Sequence, residues 1–370
     1  MDLVNPFCVT KVEAWPAALP LVAPFVVSTG QMDVAHNIFV RVTLRSGAYG
    51  FGEVAPFPDI SHEDQENSLK AFPVAAQELI GQLATQFRQL SQQLREKVPL
   101  FPALRCGIET ALLDALSRGM GIPLWGLWGG ASVQVRETDV TLPIGDIEHV
   151  VRTAREWYTR GFRIFKMKVG QDVNADIRRI ESVCRACPLT TFVLDANQGF
   201  LFDEALECVQ AMERLHIPVV LLEQPVKRED VEGFVALRRR SRIPIAADES
   251  VRSIEDARRL IERQAVDVLN IKITKCGVVE SVDIARLAHA SGVKLMIGGM
   301  VESRIAMGCS WSLVLGLGDF EFLDLDTPLL LSVDPVRGGY GYDGPWLQPW
   351  ESPGLGMELE FEQSSVMVVE

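Results

Sequence analysis

No run of about 20 apolar residues, the length that spans a bilayer, occurs in the 370-residue sequence. The opening Met1-Asp2-Leu3-Val4-Asn5 also lacks the basic stretch that begins a secretory signal. The expectation is a cytoplasmic protein with no membrane partner. Basic clusters are equally scarce: 36 Lys and Arg face 49 Asp and Glu, a formal net charge of −13, and the largest basic run is Arg238-Arg239-Arg240. Such a chain offers no electrostatic footprint for a phosphate backbone, so no nucleic-acid partner is expected. Cysteine is sparse and odd in number, seven scattered through a long chain, unlike a secreted disulfide framework. Cys184 and Cys187 form a lone C-x-x-C with no second pair and no nearby histidine, which disfavours zinc or redox chemistry there. Histidine, the usual general base, numbers five (His36, His62, His149, His216, His289), all in stretches that read as loop or helix. None ends a strand.

What is present is a globular composition, 48% hydrophobic and 23% charged, long enough for a (β/α)₈ barrel of about 250 residues plus a smaller domain. From about residue 160 a unit repeats: a short β-rich apolar run, a polar residue at its end, a loop, then an amphipathic helix. The runs are Ile164 to Lys168, Phe192 to Asp195, Val219 to Glu223, Ile243 to Asp248, Val266 to Lys272 and Val293 to Gly298. Their ends are 27, 28, 25, 24 and 26 residues apart by subtraction. Near-equal spacing suits a closed barrel better than an open doubly wound sheet. Asp139 to Pro143 and Phe320 to Asp324 supply strands one and eight. Outer helices are expected over Asp203 to His216 and Ser253 to Gln264, the second opening on an N-capping Ser253. The first 130 residues read as α+β, with strands at Ile38 to Leu44 and Tyr49 to Glu53 and helical segments around Ser68 to Leu94 and Leu104 to Arg118. The Gly- and Pro-rich segment after about 330 ends in a strand-like tail expected to pack back on them.

Barrel active sites lie at the carboxyl ends of the strands, and here strands two to six end in Lys168, Asp195, Glu223, Asp248 and Lys272. Alternation places Lys166 beside Lys168 on the inner face and turns Phe165, Met167 and Val169 toward the helices. Three carboxylates from adjacent strands repel unless a cation compensates, and an all-oxygen ligand set suits Mg²⁺, with Mn²⁺ as the alternative. An acidic strand end can be merely the N-cap of the next helix, and Lys166 merely a salt-bridge partner of the same acids. Three acids in succession, flanked by lysines half a circumference apart, exceed that reading. The arrangement fits removal of a proton next to a substrate carboxylate through an enediolate, one lysine taking the proton and the other returning one. The base must first be neutral, and a nearby metal ion and second ammonium lower a lysine pKa in that direction.

Lys166-Met-Lys168, Asp195-Ala-Asn197, Glu223-Gln-Pro225, Asp248-Glu-Ser250 and Asn270-Ile-Lys272-x-x-Lys275 resemble the motifs of the enolase superfamily, muconate-lactonizing subgroup. The likeness extends to Pro24-Phe25, Gly52-Glu53-Val54-Ala55-Pro56 and the run Pro123 to Gly130. It implies an α/β chain with a modified (β/α)₈ TIM-type barrel over residues 131–326. An α+β capping domain (1–130) is joined by a C-terminal segment (327–370). It further implies Asp195, Glu223 and Asp248 as Mg²⁺ ligands, Lys168 and Lys272 as the acid/base pair with Lys166 beside them, and, by analogy alone, a homo-oligomer. Phe322-Leu-Asp324-Leu-Asp326-Thr-Pro328 resembles the Asp-x-Asp of dipeptide epimerases, which holds the substrate's N-terminal ammonium. Paired carboxylates suit an ammonium and repel succinyl groups. The expected activity is therefore isomerase chemistry, epimerisation at the C-terminal residue of a dipeptide, with Thr141, Gly298 and Met300 lining the site. The competing activities are N-succinylamino-acid racemisation and o-succinylbenzoate synthesis; a noncatalytic ligand-binding relative would lack one of the five charged residues. Relatives that select a C-terminal glutamate carry an arginine where this chain has Gly30, which with Val26, Val27, Met300 and Val301 favours an apolar dipeptide.

Overall fold

The computed structural model describes residues 5–27, 30–61, 63–360 and 366–370, with the side chains of residues 25–27, 59 and 60 outside the description. The chain begins as a long antiparallel ribbon, Val9–Val27 against Gly30–Leu44, joined on one side by Tyr49–Val54. Both faces of this sheet are covered, and strand alternation sorts its side chains between them. Val12 and Ala14 pack with Ile38, Val40 and Val42 against the N-terminal helices, whereas Trp15, Ala17 and Leu19 join the core shared with the barrel. The C-terminal strand Met367–Val369 adds to the ribbon's edge, Val12 opposite Val369.

The helix Pro102–Met120 lies across this sheet and is buried on every side from Ala103 to Ser117. Two glycines set that approach. A Cβ on Gly52 would lie 1.9 Å from the Gly107 carbonyl oxygen, and one on Gly50 would lie 2.1 Å from the Ala115 nitrogen. The single helical stretch expected around Ser68 to Leu94 is instead two helices, Gln65–Gln77 and Phe87–Lys97, separated by a turn at Gly81 with φ of 77°. The first helix ends on a right-handed C-cap at Glu78, and the left-handed backbone at Gly81 turns the connecting chain before the second begins.

Eight parallel strands follow: Val140–Leu142, Ile164–Lys168, Thr191–Asp195, Val219–Glu223, Ile245–Ala247, Val268–Ile271, Lys294–Ile297 and Phe320–Leu323. They pair in sequence order and curl into a barrel with the intervening helices outside. The first and eighth strands share no ladder. Asp139 N–H donates to the Leu323 carbonyl (3.0 Å), Leu325 N–H to Thr138 Oγ1 (2.9 Å) and Thr141 N–H to Asp326 Oδ2 (2.6 Å), so the seam is sewn partly by side chains. Alternation layers the barrel interior. Val193, Leu221, Ala246, Val268 and Met296 form a small apolar floor, and two residues further along the same faces come Asp195, Glu223, Asp248, Asn270 and Gly298. Phe165, Met167 and Val169 pack in the outer core with the helices. Among the described residues no helix is long and apolar enough to cross a membrane.

Candidate active site

The register of the second to fourth strands brings Lys168, Asp195 and Glu223 to one level, Lys168 opposite Asp195 and Asp195 opposite Glu223. Lys168 Nζ lies 2.6 Å from Asp195 Oδ2. On the other flank Lys272 Nζ lies 2.8 Å from Asp248 Oδ2, and Lys275 Nζ lies 2.6 Å from Asp248 Oδ1. Asp195, Glu223 and Asp248 are fully buried, and Lys166, Lys168 and Lys272 nearly so. Lys166 is the hub. Its Nζ stands 2.6 Å from Asp324, 2.9 Å from Glu223 and 3.1 Å from Asp195, linking the eighth strand to the third and fourth.

Charge follows from this mixing. Burial alone would raise the Asp195 and Asp248 carboxyls, but the surrounding ammonium groups outweigh it and hold both below the usual carboxylate range. Glu223 goes the other way, to about 7, through burial and the neighbouring Asp195. Burial lowers the lysines, yet the carboxylates prevail and both Lys166 and Lys272 are pushed up. Three acids around Lys166 count for more than one neighbouring cation.

The polar framework is held from behind. Gln224, with φ of 40°, accepts from the Asp248 and Ser250 amides and donates to Ser250 Oγ, tying the fourth strand's end to the fifth. Asn270 Nδ2 donates to Glu223 Oε1 (2.7 Å). A Cβ on Gly298 would lie 3.1 Å from both Asn270 Oδ1 and Asp324 Oδ2, so a side chain there would press on the site. Met300 N–H donates to the buried Glu302, which also accepts from Thr274 Oγ1. Met300, Thr274, Lys275 and Phe57 line a cavity of 230 Å³ that Arg105 and Arg252 also border.

The eighth strand ends at Leu323, so strand alternation is not what brings Asp324 and Asp326 together. The chain turns instead. Asp326, with φ of −92° and ψ of −15°, caps the short helix Thr327–Leu330, and its Oδ2 accepts the Thr141 amide across the seam. Burial and Asp324 push the Asp326 carboxyl up to about 7. Asp139, on the approach to the first strand, completes a group whose carboxylate oxygens with Asp324 and Asp326 lie within 4.8 Å of one another. Thr141 also borders a cavity of 420 Å³ lined by Leu21, Pro24, Leu329 and Leu330 on one side and by His149, Arg152 and Glu156 of the helix Ile147–Thr159 and its C-cap Arg160 on the other. Of the histidines, His36 lies within the strand Gly30–Leu44, exposed and outside the barrel, because the ribbon is longer than its apolar stretch indicated. His62 and the side chains of Val26 and Val27 lie outside the described residues.

A model of the family described as enolase C-terminal domain-like matches residues 149–364, and one for the N-terminal domain of mandelate racemase / muconate lactonizing enzyme matches residues 10–129. The chain belongs to the enolase superfamily, in its mandelate racemase / muconate lactonizing branch. Within that branch, an L-Ala-D/L-amino acid epimerase from Populus trichocarpa is 38% identical over 351 residues, covering 93% of this chain and 83% of the relative. An aromatic dipeptide epimerase from Herpetosiphon aurantiacus is 39% identical, covering 96% and 99%. The crystal structure of a dipeptide epimerase from Cytophaga hutchinsonii complexed with Mg and D-Ala-L-Val superposes with a TM-score of 0.93 at 31% identity, covering 98% and 99%. In the sequence of this superfamily member Asp139 stands out only as the start of a strand. Its signal was the acidic residue two places before Thr141, legible only once the eighth strand is beside the first.

Proposed function

We propose that this chain is a Mg²⁺-dependent dipeptide epimerase that inverts the α-carbon of the C-terminal residue, with a preference for apolar dipeptides. The observation that carries the reading is that Lys168 and Lys272, both buried, stand at the carboxyl ends of the second and sixth of eight strands, with the buried Asp324 and Asp326 just after the eighth. Lysines on strands two and six of eight face the two sides of whatever lies between them, which a 1,1-proton transfer requires. Lys168 removes the proton from one face of the α-carbon and Lys272 delivers one to the other, or the reverse for the opposite isomer. Asp324 and Asp326 take the substrate's ammonium and fix which carbon lies between the lysines. Lys166 keeps those acids apart from Asp195 and Glu223, while Thr141, Gly298 and Met300 shape the walls.

Asp195, Glu223 and Asp248 form the all-oxygen donor set of a hard divalent cation. Glu223 Oε2 and Asp248 Oδ2 lie 2.9 and 2.8 Å from lysines without accepting an aligned hydrogen bond, so each keeps capacity for a ligand. Bound there, Mg²⁺ would neutralise the substrate carboxylate and offset the negative charge that holds protons on the lysines. Gly30, where relatives that select a C-terminal glutamate carry an arginine, supports apolar side chains on the substrate.

The test is mass spectrometry of a mixed L,L-dipeptide library incubated with enzyme and Mg²⁺ in D₂O, with succinylated amino acids in parallel. Epimerisation leaves composition unchanged and adds one deuteron. Labelling of apolar dipeptides is expected. Turnover of succinylated compounds alone would replace this reading with that of an N-succinylamino-acid racemase.

A further inference from the structure

Asp139 is only 2% exposed. Its Oδ1 and the Oδ1 of Asp326 are both buried without a hydrogen-bond partner, while Asp326 Oδ2 is occupied by the Thr141 amide. Native proteins rarely leave buried carboxylate oxygens unpaired unless a ligand satisfies them. Because the oxygens of Asp139, Asp324 and Asp326 lie within 4.8 Å of one another, a central atom can sit no more than about 2.8 Å from each, charge-assisted N–H···O length. The charge balance points the same way. The nearest cation to these three acids is Lys166, and its ammonium is shared with Asp195 and Glu223. Burial and its two acidic neighbours accordingly push the Asp139 carboxyl well up.

We infer that Asp139 is the third acceptor of the substrate-ammonium pocket, so that three carboxylates meet the three N–H bonds of a primary ammonium. The inference rests on the dipeptide reading above and adds a selectivity to it. A secondary ammonium, as in an N-methyl dipeptide, has one N–H fewer and leaves one buried carboxylate unpaired. The enzyme therefore selects primary over secondary amino termini, and Asp139 is the residue that does so.

The experiment compares kcat/KM for the most active library dipeptide with its N-methyl form, in the wild-type enzyme, Asp139→Asn and Asp139→Ala, with thermal melts to verify folding. The wild type is expected to favour the primary amine by about tenfold or more, the worth of one charge-assisted hydrogen bond. In Asp139→Ala that ratio should fall to within about threefold of unity. In the isosteric Asp139→Asn, KM for the primary amine should rise about tenfold with little change in kcat. If both substrates fall equally and the ratio stays at its wild-type value, Asp139 is only part of the seam and the inference is overturned. It is also overturned if Asp139→Asn raises the Mg²⁺ concentration needed for half-activation, because the three acids would then be a metal site. If the wild type binds the dipeptide and its N-acetyl form equally well, the ammonium reading itself has failed, a result distinct from either.

Discussion

Lys168 and Lys272 each pair with an acid on the neighbouring strand, and that separation makes their roles divisible. With Lys272→Ala, the isomer whose α-proton faces Lys168 should still exchange that proton with D₂O, without inversion. Lys168→Ala should show the mirror pattern. Epimerisation itself should drop by about 10²-fold to 10⁴-fold in each variant, the usual worth of general acid–base catalysis. Proton NMR of the α-hydrogen in D₂O, run separately on each isomer, reads both quantities. Asp326 sets a pH dependence. Its carboxyl is pushed up to about 7, and an ammonium binds the charged form, so affinity falls as pH drops through that value; on the alkaline side it falls again as the dipeptide's own amino group loses its proton near pH ~8. Calorimetric titration with a dipeptide should show this acid limb, and the N-acetyl dipeptide, which has no ammonium, should lack it.

Between neighbouring elements, the loop ends matter more than the strands. Gln224 sits in left-handed backbone so that its carboxamide can bridge to the amides of Asp248 and Ser250. Gln224→Ala removes that bridge while leaving every charged group in place. Supporting residues of this kind usually change metal affinity by about 10-fold to 100-fold, so the Mg²⁺ requirement should rise by that factor, with a lowered melting temperature from the two buried amides left without an acceptor. Gly298 and Asp324 meet across the seventh and eighth strands. A methyl at Gly298 must displace Asn270 or Asp324 by a few tenths of an ångström, so Gly298→Ala should raise KM for dipeptides more than it lowers kcat. Steady-state kinetics at saturating Mg²⁺ decides this.

Over the whole molecule, the cap is fastened to the barrel by buried acids. Glu53, on the third strand of the cap, accepts from Ser303 N–H and Oγ at the start of the helix Arg304–Leu317 and from Asn37 Nδ2. Asp114 accepts from Phe51 N–H (2.8 Å), Leu355 N–H (2.6 Å) and Arg118, joining sheet, helix and C-terminal segment. Removing either acid strands several buried donors, and Asp114→Ala should cost about 3–5 kcal/mol, read as a lowered denaturation midpoint. Glu53→Ala strands the Ser303 and Asn37 donors and should lower the denaturation midpoint likewise.

Much of this was written in the order of residues. Five charged strand ends at near-equal spacing specify a barrel and its chemistry, because alternation forces Lys166, Asp195, Glu223 and Asp248 to the same face as the apolar floor. Periodicity of that kind is local and survives without knowledge of neighbours. The meeting of Asp139 with Asp324 and Asp326 is not local. It depends on the first strand closing against the eighth, nearly 190 residues away, through the Thr141 amide and a turn that puts Asp326 where simple alternation would not. Likewise, how many carboxylates surround each ammonium is a count that only packing supplies. The two helices around Gly81 and the glycine contact of strand with helix belong to the same class. They are set by how closely backbones approach, which no spacing along one chain records.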